Sequence, residues 1–149
     1  MNSKQLDLVI RLASEQRDAA VARLAAARAQ WQSATEQLQQ LQAYQAQYVA
    51  QAQRESQQGI SVQALSEGRR FIAELDDLIA TQNSTVAQQA SAMETQAEQW
   101  TEAARYLQSV ERFKILKLNE QAVASQRREQ QQADDLYAIR RSALASGTG

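Results

Sequence analysis

Two lines of residues, each repeating every seven positions, run through the N-terminal part of the chain. The first line consists of Leu6, Ala13, Ala20, Ala27, Ala34, Leu41 and Tyr48. The second consists of Ile10, Arg17, Leu24, Trp31, Leu38 and Gln45. They alternate at steps of four and three, which is the spacing of the apolar seam of a coiled coil. The alanines allow a partner helix to approach closely, and we expect Arg17 to lay its stem on the seam with its guanidinium in water.

The same spacing returns further along the chain. A second apolar line consists of Leu65, Ile72, Ile79, Val86, Met93, Trp100 and Leu107, and alanines interleave with it at positions 90, 97 and 104. Met93 and Trp100 are therefore interpreted as seam residues. Two helical arms with matching seams predict an all-α fold, in which two long helices form an antiparallel coiled-coil hairpin and the second helix is the longer.

A short break separates the two arms. The chain has no proline, and Gly59 and Gly68 are its only glycines before the C-terminal tail. Gly59 suits a helix end with positive φ, Ser61 is a reasonable N-cap, and Ile60 with Leu65 has the spacing of a hydrophobic staple. Gly68 is expected to mark a kink or a close helix contact. We predict a single hairpin domain over 1–149, with arms at 3–57 and 61–144, a turn at 58–60 and a frayed tail at 145–149.

The residue types that are missing exclude most kinds of catalytic site. The 149 residues include no cysteine and no histidine, but 26 glutamines and 28 alanines, a bias typical of long helices. No run of about 20 apolar residues could span a membrane, and the charged N-terminus is unlike a signal peptide. We therefore predict a soluble cytoplasmic protein that is not an enzyme and has no metal and no cofactor. A pI near 5.5 makes nucleic acid a poor partner.

The arms differ in length and in charge. With equal rise per residue in both helices, Met1 should lie opposite a residue near Lys117, leaving about 25 to 30 residues of the second helix beyond it. Residues 71–104 carry six acids and no base, whereas 105–145 carry eight bases and five acids. A single basic helix of that length is marginal in water unless it docks, which predicts a larger protein partner.

A stripe of four residues after the turn lies beside the predicted seam. It consists of Phe71, Leu75, Leu78 and Gln82, spaced by four, three and four. Phe71 and Leu78 each precede a seam isoleucine and project about 100° away from it. Two interpretations stay open: a wide seam or a folded-back loop covers the stripe, or the stripe is an exposed apolar patch that binds a partner.

Several landmarks in fixed order resemble the flagellar FliJ family over almost the whole chain. They are "LQAYQAQY" (41–48), "QGI" (58–60), "RRFIAELDDLI" (69–79), Trp100 and "EQQQADDLYAIRR" (129–141). The chain departs from the family at Asp134, Asp135 and Leu136, where Asp-Glu-Ala is common.

The resemblance implies a soluble stalk protein of the flagellar type III export apparatus, with roles in flagellum biogenesis, motility and chemotaxis. The implied partners are the hexameric export ATPase, the cytoplasmic domain of the export gate and export chaperones, which hold the protein peripherally at the inner membrane. The stripe, Phe71 and Leu75 above all, would contact the gate. The residues expected to contact the ATPase are Arg127, Arg128, Leu136, Ile139, Arg140 and Arg141. The alternatives are the equivalent stalk of a virulence injectisome and a plain homodimeric coiled-coil scaffold.

Overall fold

The structure, a computed structural model, describes residues 1–147 and contains two helices. Helix α1 spans Ser3–Gln57 and helix α2 spans Val62–Ser146, with no strand in the part of the chain that is described. The all-α prediction with a longer second helix is thus confirmed, and α1 has the bounds expected for the first arm. The tail was predicted to begin at residue 145, but Ala145 and Ser146 are helical. Thr148 and Gly149 lie outside the described residues.

Side chains cap the start of each helix. The Asn2 side-chain oxygen accepts from the Gln5 N–H at 2.8 Å, and the Gln5 side-chain oxygen accepts from the Asn2 N–H at 3.0 Å. This reciprocal pair is a capping box, which satisfies two N–H groups that the first helical turn leaves without partners. At α2, the Ser61 hydroxyl accepts from the Ala64 N–H at 3.1 Å, which confirms Ser61 as the N-cap.

The two glycines near the turn differ in what they require. Gly59 has φ of +80°, as predicted for the end of α1, and an L-residue rarely adopts that conformation. Gly68 is an ordinary helical residue, and a Cβ added there would meet only the Tyr48 hydroxyl oxygen, at 3.7 Å. Gly68 therefore marks a close approach of the two helices with room for a methyl group.

This difference predicts opposite effects of the same substitution. Gly59→Ala should lower the free energy of unfolding by about 1 to 2 kcal/mol, because alanine is strained at positive φ. Gly68→Ala should raise it by about 0.5 to 1 kcal/mol, because alanine favours a helix interior over glycine. Urea unfolding followed by circular dichroism measures both. A destabilising Gly68→Ala would show that the two helices lie closer at Tyr48 than described here.

Residues 15–104 form one compact unit, which holds the turn and most of the helix pairing. Its buried side chains are Ala20, Ala34 and Leu75. The two helices run antiparallel, since residues of increasing number in α1 contact residues of decreasing number in α2. The cross-helix pairs are Arg23 with Gln96, Gln37 with Gln82, Gln45 with Asp76, and Tyr48 with Phe71.

Residues 1–14 and 105–147 belong to the second compact unit. Its buried side chains are Leu6, Ala13 and Leu107. At its edge the Lys114 ammonium lies 2.8 Å from the Asp7 carboxylate. This pair is half exposed, so it contributes little to stability, and the apolar contacts of the three buried residues hold the two helices together.

The heptad lines account for much of the buried face of both helices, and the two clearest exceptions lie in α2. Every residue of the two α1 lines is buried or half-buried, and the Arg17 guanidinium reaches outward to Asp18 at 2.9 Å. In α2, the assignment of Trp100 to the seam is wrong, because its side chain is 39% exposed. The half-buried positions around it are Gln96, Ala97, Thr101, Ala103 and Ala104. The second exception is Leu75, which is buried although it belongs to neither predicted line.

Candidate partner-binding surfaces

The stripe of Phe71, Leu75, Leu78 and Gln82 is not a uniformly exposed patch. Leu75 is only 4% exposed and is part of the core, so at this position the interpretation of a wide seam that covers the stripe is the correct one. Leu78 is 54% exposed. Phe71 and Gln82 are half-buried. The seam is wide enough to cover part of the stripe, and only Leu78 and the outer edges of its neighbours remain accessible.

Phe71 packs between two tyrosines of α1. Its ring centroid lies 4.6 Å from that of Tyr48 and 6.4 Å from that of Tyr44, the second pair being edge-to-face. Tyr48 is half-buried against α2, whereas Tyr44 is 51% exposed. The structure places Tyr44 at the rim, where it widens the accessible apolar surface beside Phe71.

Gln82 is held in place by α1. Its side-chain N–H donates to the backbone carbonyl of Ala34 at 2.9 Å and to the Gln37 side-chain oxygen at 3.3 Å. One of the two acceptors is a backbone carbonyl of α1, which cannot move independently of that helix. The hydrogen bonds therefore fix the position of α2 along α1 in this unit. Gln82 therefore has a structural part in the hairpin besides any contact with a partner.

The N-terminus lies beside the middle of the second compact unit. The Lys117 ammonium donates to the Met1 carbonyl at 3.0 Å. This contact confirms the expectation that Met1 lies opposite Lys117. Helix α2 continues beyond this contact to Ser146.

Residues 121–147, here called the exposed segment, are all solvent-exposed. Leu136 and Ile139 are 59% and 64% exposed. The four arginines expected to contact the ATPase lie in this segment, at positions 127, 128, 140 and 141. Leu144 and Ala145 each take part in a further interaction.

The structure does not gather the predicted ATPase-contacting residues onto one face of the helix. Neighbouring residues point about 100° apart on an α-helix, so Arg127 and Arg128 face different directions, as do Arg140 and Arg141. Arg127 and Arg141 share roughly one side, and Ile139 lies on the side of Arg128. Charge and apolar surface are thus distributed around the helix, an arrangement that suits contact from several directions.

The described part of the chain shows neither of two other kinds of site. Residues 1–147 contain no grouping of three or more acidic side chains that could hold a metal ion. Neither of its two helices has an 18-residue window apolar enough to cross a membrane.

Comparison with known proteins identifies a family. A family model described as flagellar FliJ protein matches residues 2–145. No curated protein and no solved structure matches the chain. The family match covers both helices and both compact units.

Proposed function

The chain belongs to the flagellar FliJ family of protein-export components, and we propose that it is the non-catalytic stalk that binds and activates the hexameric export ATPase. The observation that carries this proposal is the exposed segment. It is a helix of more than seven turns in which every residue faces solvent. A single helix of this kind gains stability by docking on a partner, because few of its own contacts offset the loss of chain entropy.

The distribution of side chains favours a partner that surrounds the helix. Arg127, Arg128, Arg140 and Arg141 point to several sides, and Leu136 and Ile139 add apolar surface between them. A flat partner would reach only one side of such a helix. The inner wall of a hexameric ring reaches all sides, and arginine can pair with carboxylates or backbone carbonyls in any of its subunits.

We propose that the stripe contacts the cytoplasmic domain of the export gate through its accessible parts. Leu78 would be the main apolar contact, with the outer edge of Phe71 and the amide of Gln82 beside it. Leu75 lies in the core, where it would hold the helical turn that carries Phe71 in position. Escort of export chaperones and a cytoplasmic location at the inner membrane, through the export apparatus, complete the proposal.

Charge removal tests the ATPase contact. A variant in which Arg127, Arg128, Arg140 and Arg141 are all changed to glutamine should bind the ATPase hexamer at least about tenfold more weakly, because charge-assisted hydrogen bonds are lost. The matched control replaces Arg11, Arg28, Arg54 and Arg69, all exposed, by glutamine and has the same net charge. Binding of each variant to the immobilised ATPase hexamer should be weakened for the first variant and unchanged for the control. Equal weakening would point to non-specific charge attraction and would count against the proposed contact.

A further inference from the structure

The stretch 105–127 of α2 has a second face, here called the outer face, that points away from α1. Leu107 is buried against α1, and Leu116 follows it by about two and a half turns of helix, so the two side chains point to opposite sides. Two shallow hollows lie along this face. The first, of about 440 Å³, is lined by Arg105, Gln108, Ser109, Arg112, Phe113 and Leu116. The second, of about 370 Å³, is lined by Leu116, Asn119, Glu120, Val123, Ala124 and Arg127.

The lining residues have the spacing of holes in a coiled-coil interface. In such an interface each side chain of one helix enters a hole formed by four residues of the other, at i, i+3, i+4 and i+7. The first hollow contains two such sets, which begin at Arg105 and Ser109. The second contains two more, which begin at Leu116 and Glu120. Leu116 borders both hollows, so together they form one row of holes that a second helix could fill.

The floor of this row is apolar and accessible. Phe113, Leu116 and Val123 are 49%, 56% and 47% exposed. The Lys117 ammonium lies over the Phe113 ring, 5.7 Å from its centre. A row of three large apolar side chains at heptad-like spacing is a typical seam for a partner helix.

The charge beside the floor favours an acidic partner. The residues lining the hollows include Arg105, Arg112 and Arg127 but a single acid, Glu120. Within residues 1–147 none of these three arginines forms an ion pair. In coiled coils, charges that flank the seam decide which helix binds. A helix with glutamates beside its own apolar seam would match this face, and a lysine-rich helix would be repelled.

We propose that the outer face binds one acidic amphipathic α-helix of a partner protein, laid lengthwise along residues 105–127. The site is distinct from the ATPase contact proposed above, with which it shares only Arg127. The first hollow lies wholly outside the exposed segment, and binding to the ATPase and binding of a helix are measured separately, so the two proposals can fail separately.

A designed peptide tests the outer face on the full-length chain. The probe has three heptads, about 21 residues, with leucine at the two seam positions and glutamate at the flanking positions. A control peptide carries lysine in place of each glutamate. Fluorescence anisotropy at low salt should show binding of the acidic peptide, and the lysine peptide should bind at least about tenfold more weakly. Added salt should weaken binding of the acidic peptide, because the charged contacts beside the seam are exposed to solvent.

Two neighbouring residues give a matched pair of variants. Leu116 and Ile115 are similarly exposed, at 56% and 59%, but only Leu116 lines the hollows. Leu116→Ala should weaken binding of the acidic peptide about tenfold, as expected for a central interface residue, whereas Ile115→Ala should leave its binding unchanged. Equal effects of the two variants would overturn the proposal. It would also be overturned if the peptide displaced α1 and its binding did not depend on Leu116. No binding of the acidic peptide would overturn it as well.

Discussion

Leu75→Ala should lower the free energy of unfolding by about 2 to 5 kcal/mol, whereas Leu78→Ala should change it by no more than about 0.5 kcal/mol. The two leucines are three residues apart in the same helix, but Leu75 is 4% exposed and Leu78 is 54% exposed. Truncating the first leaves a cavity between the helices, and truncating the second removes surface already in water. Urea unfolding followed by circular dichroism gives both values.

The same pair separates stability from recognition in the proposed gate contact. Leu78→Ala should weaken binding to the cytoplasmic domain of the gate while helicity and melting stay unchanged. Phe71→Ala combined with Leu78→Ala should abolish this binding and motility but retain ATPase stimulation. If Leu75→Ala left the unfolding curve unchanged, the core would be misplaced. If the double variant folded and supported normal swimming, the stripe would have no such partner.

Much of the fold could be predicted from the sequence because a seven-residue period has one physical meaning. Alanine at positions 13, 20 and 34 lets two helices approach closely, and all three are buried as expected. The turn was also predictable, because positive φ strongly favours glycine and a side-chain oxygen must cap the new helix. Equal rise per residue then placed Met1 beside Lys117, where the structure has a hydrogen bond.

The details that spacing missed lie one residue away from the predicted seam. A heptad line names the centre of the buried face, but the face is wider than one line, and the position of the other helix decides which neighbours it covers. For this reason Leu75 is buried, and Trp100, on the line itself, is more exposed than expected. The choice depends on helix rotation, which the sequence of one arm does not specify.

The candidate surfaces were predicted less completely than the fold. The exposed segment was predicted from arm length and charge. Its partner was inferred from family resemblance, because residue spacing alone does not identify a ring-shaped partner. The outer face of 105–127 was missed, although Phe113, Leu116 and Val123 carried a signal. They are spaced by three and seven residues, out of phase with the main seam, and are recognised only when a second face of the same helix is considered.

ATP hydrolysis by the export ATPase hexamer, measured with a chain that ends at Gln121, tests the proposed function most directly. This shortened chain keeps the Lys117 contact with Met1 and the buried Leu6 and Leu107, so its unfolding midpoint should match that of the full chain. It lacks nearly all of the exposed segment. We expect the full chain to stimulate hydrolysis and the shortened chain, although folded, to give the same rate as the hexamer alone. Full stimulation by the shortened chain would contradict it.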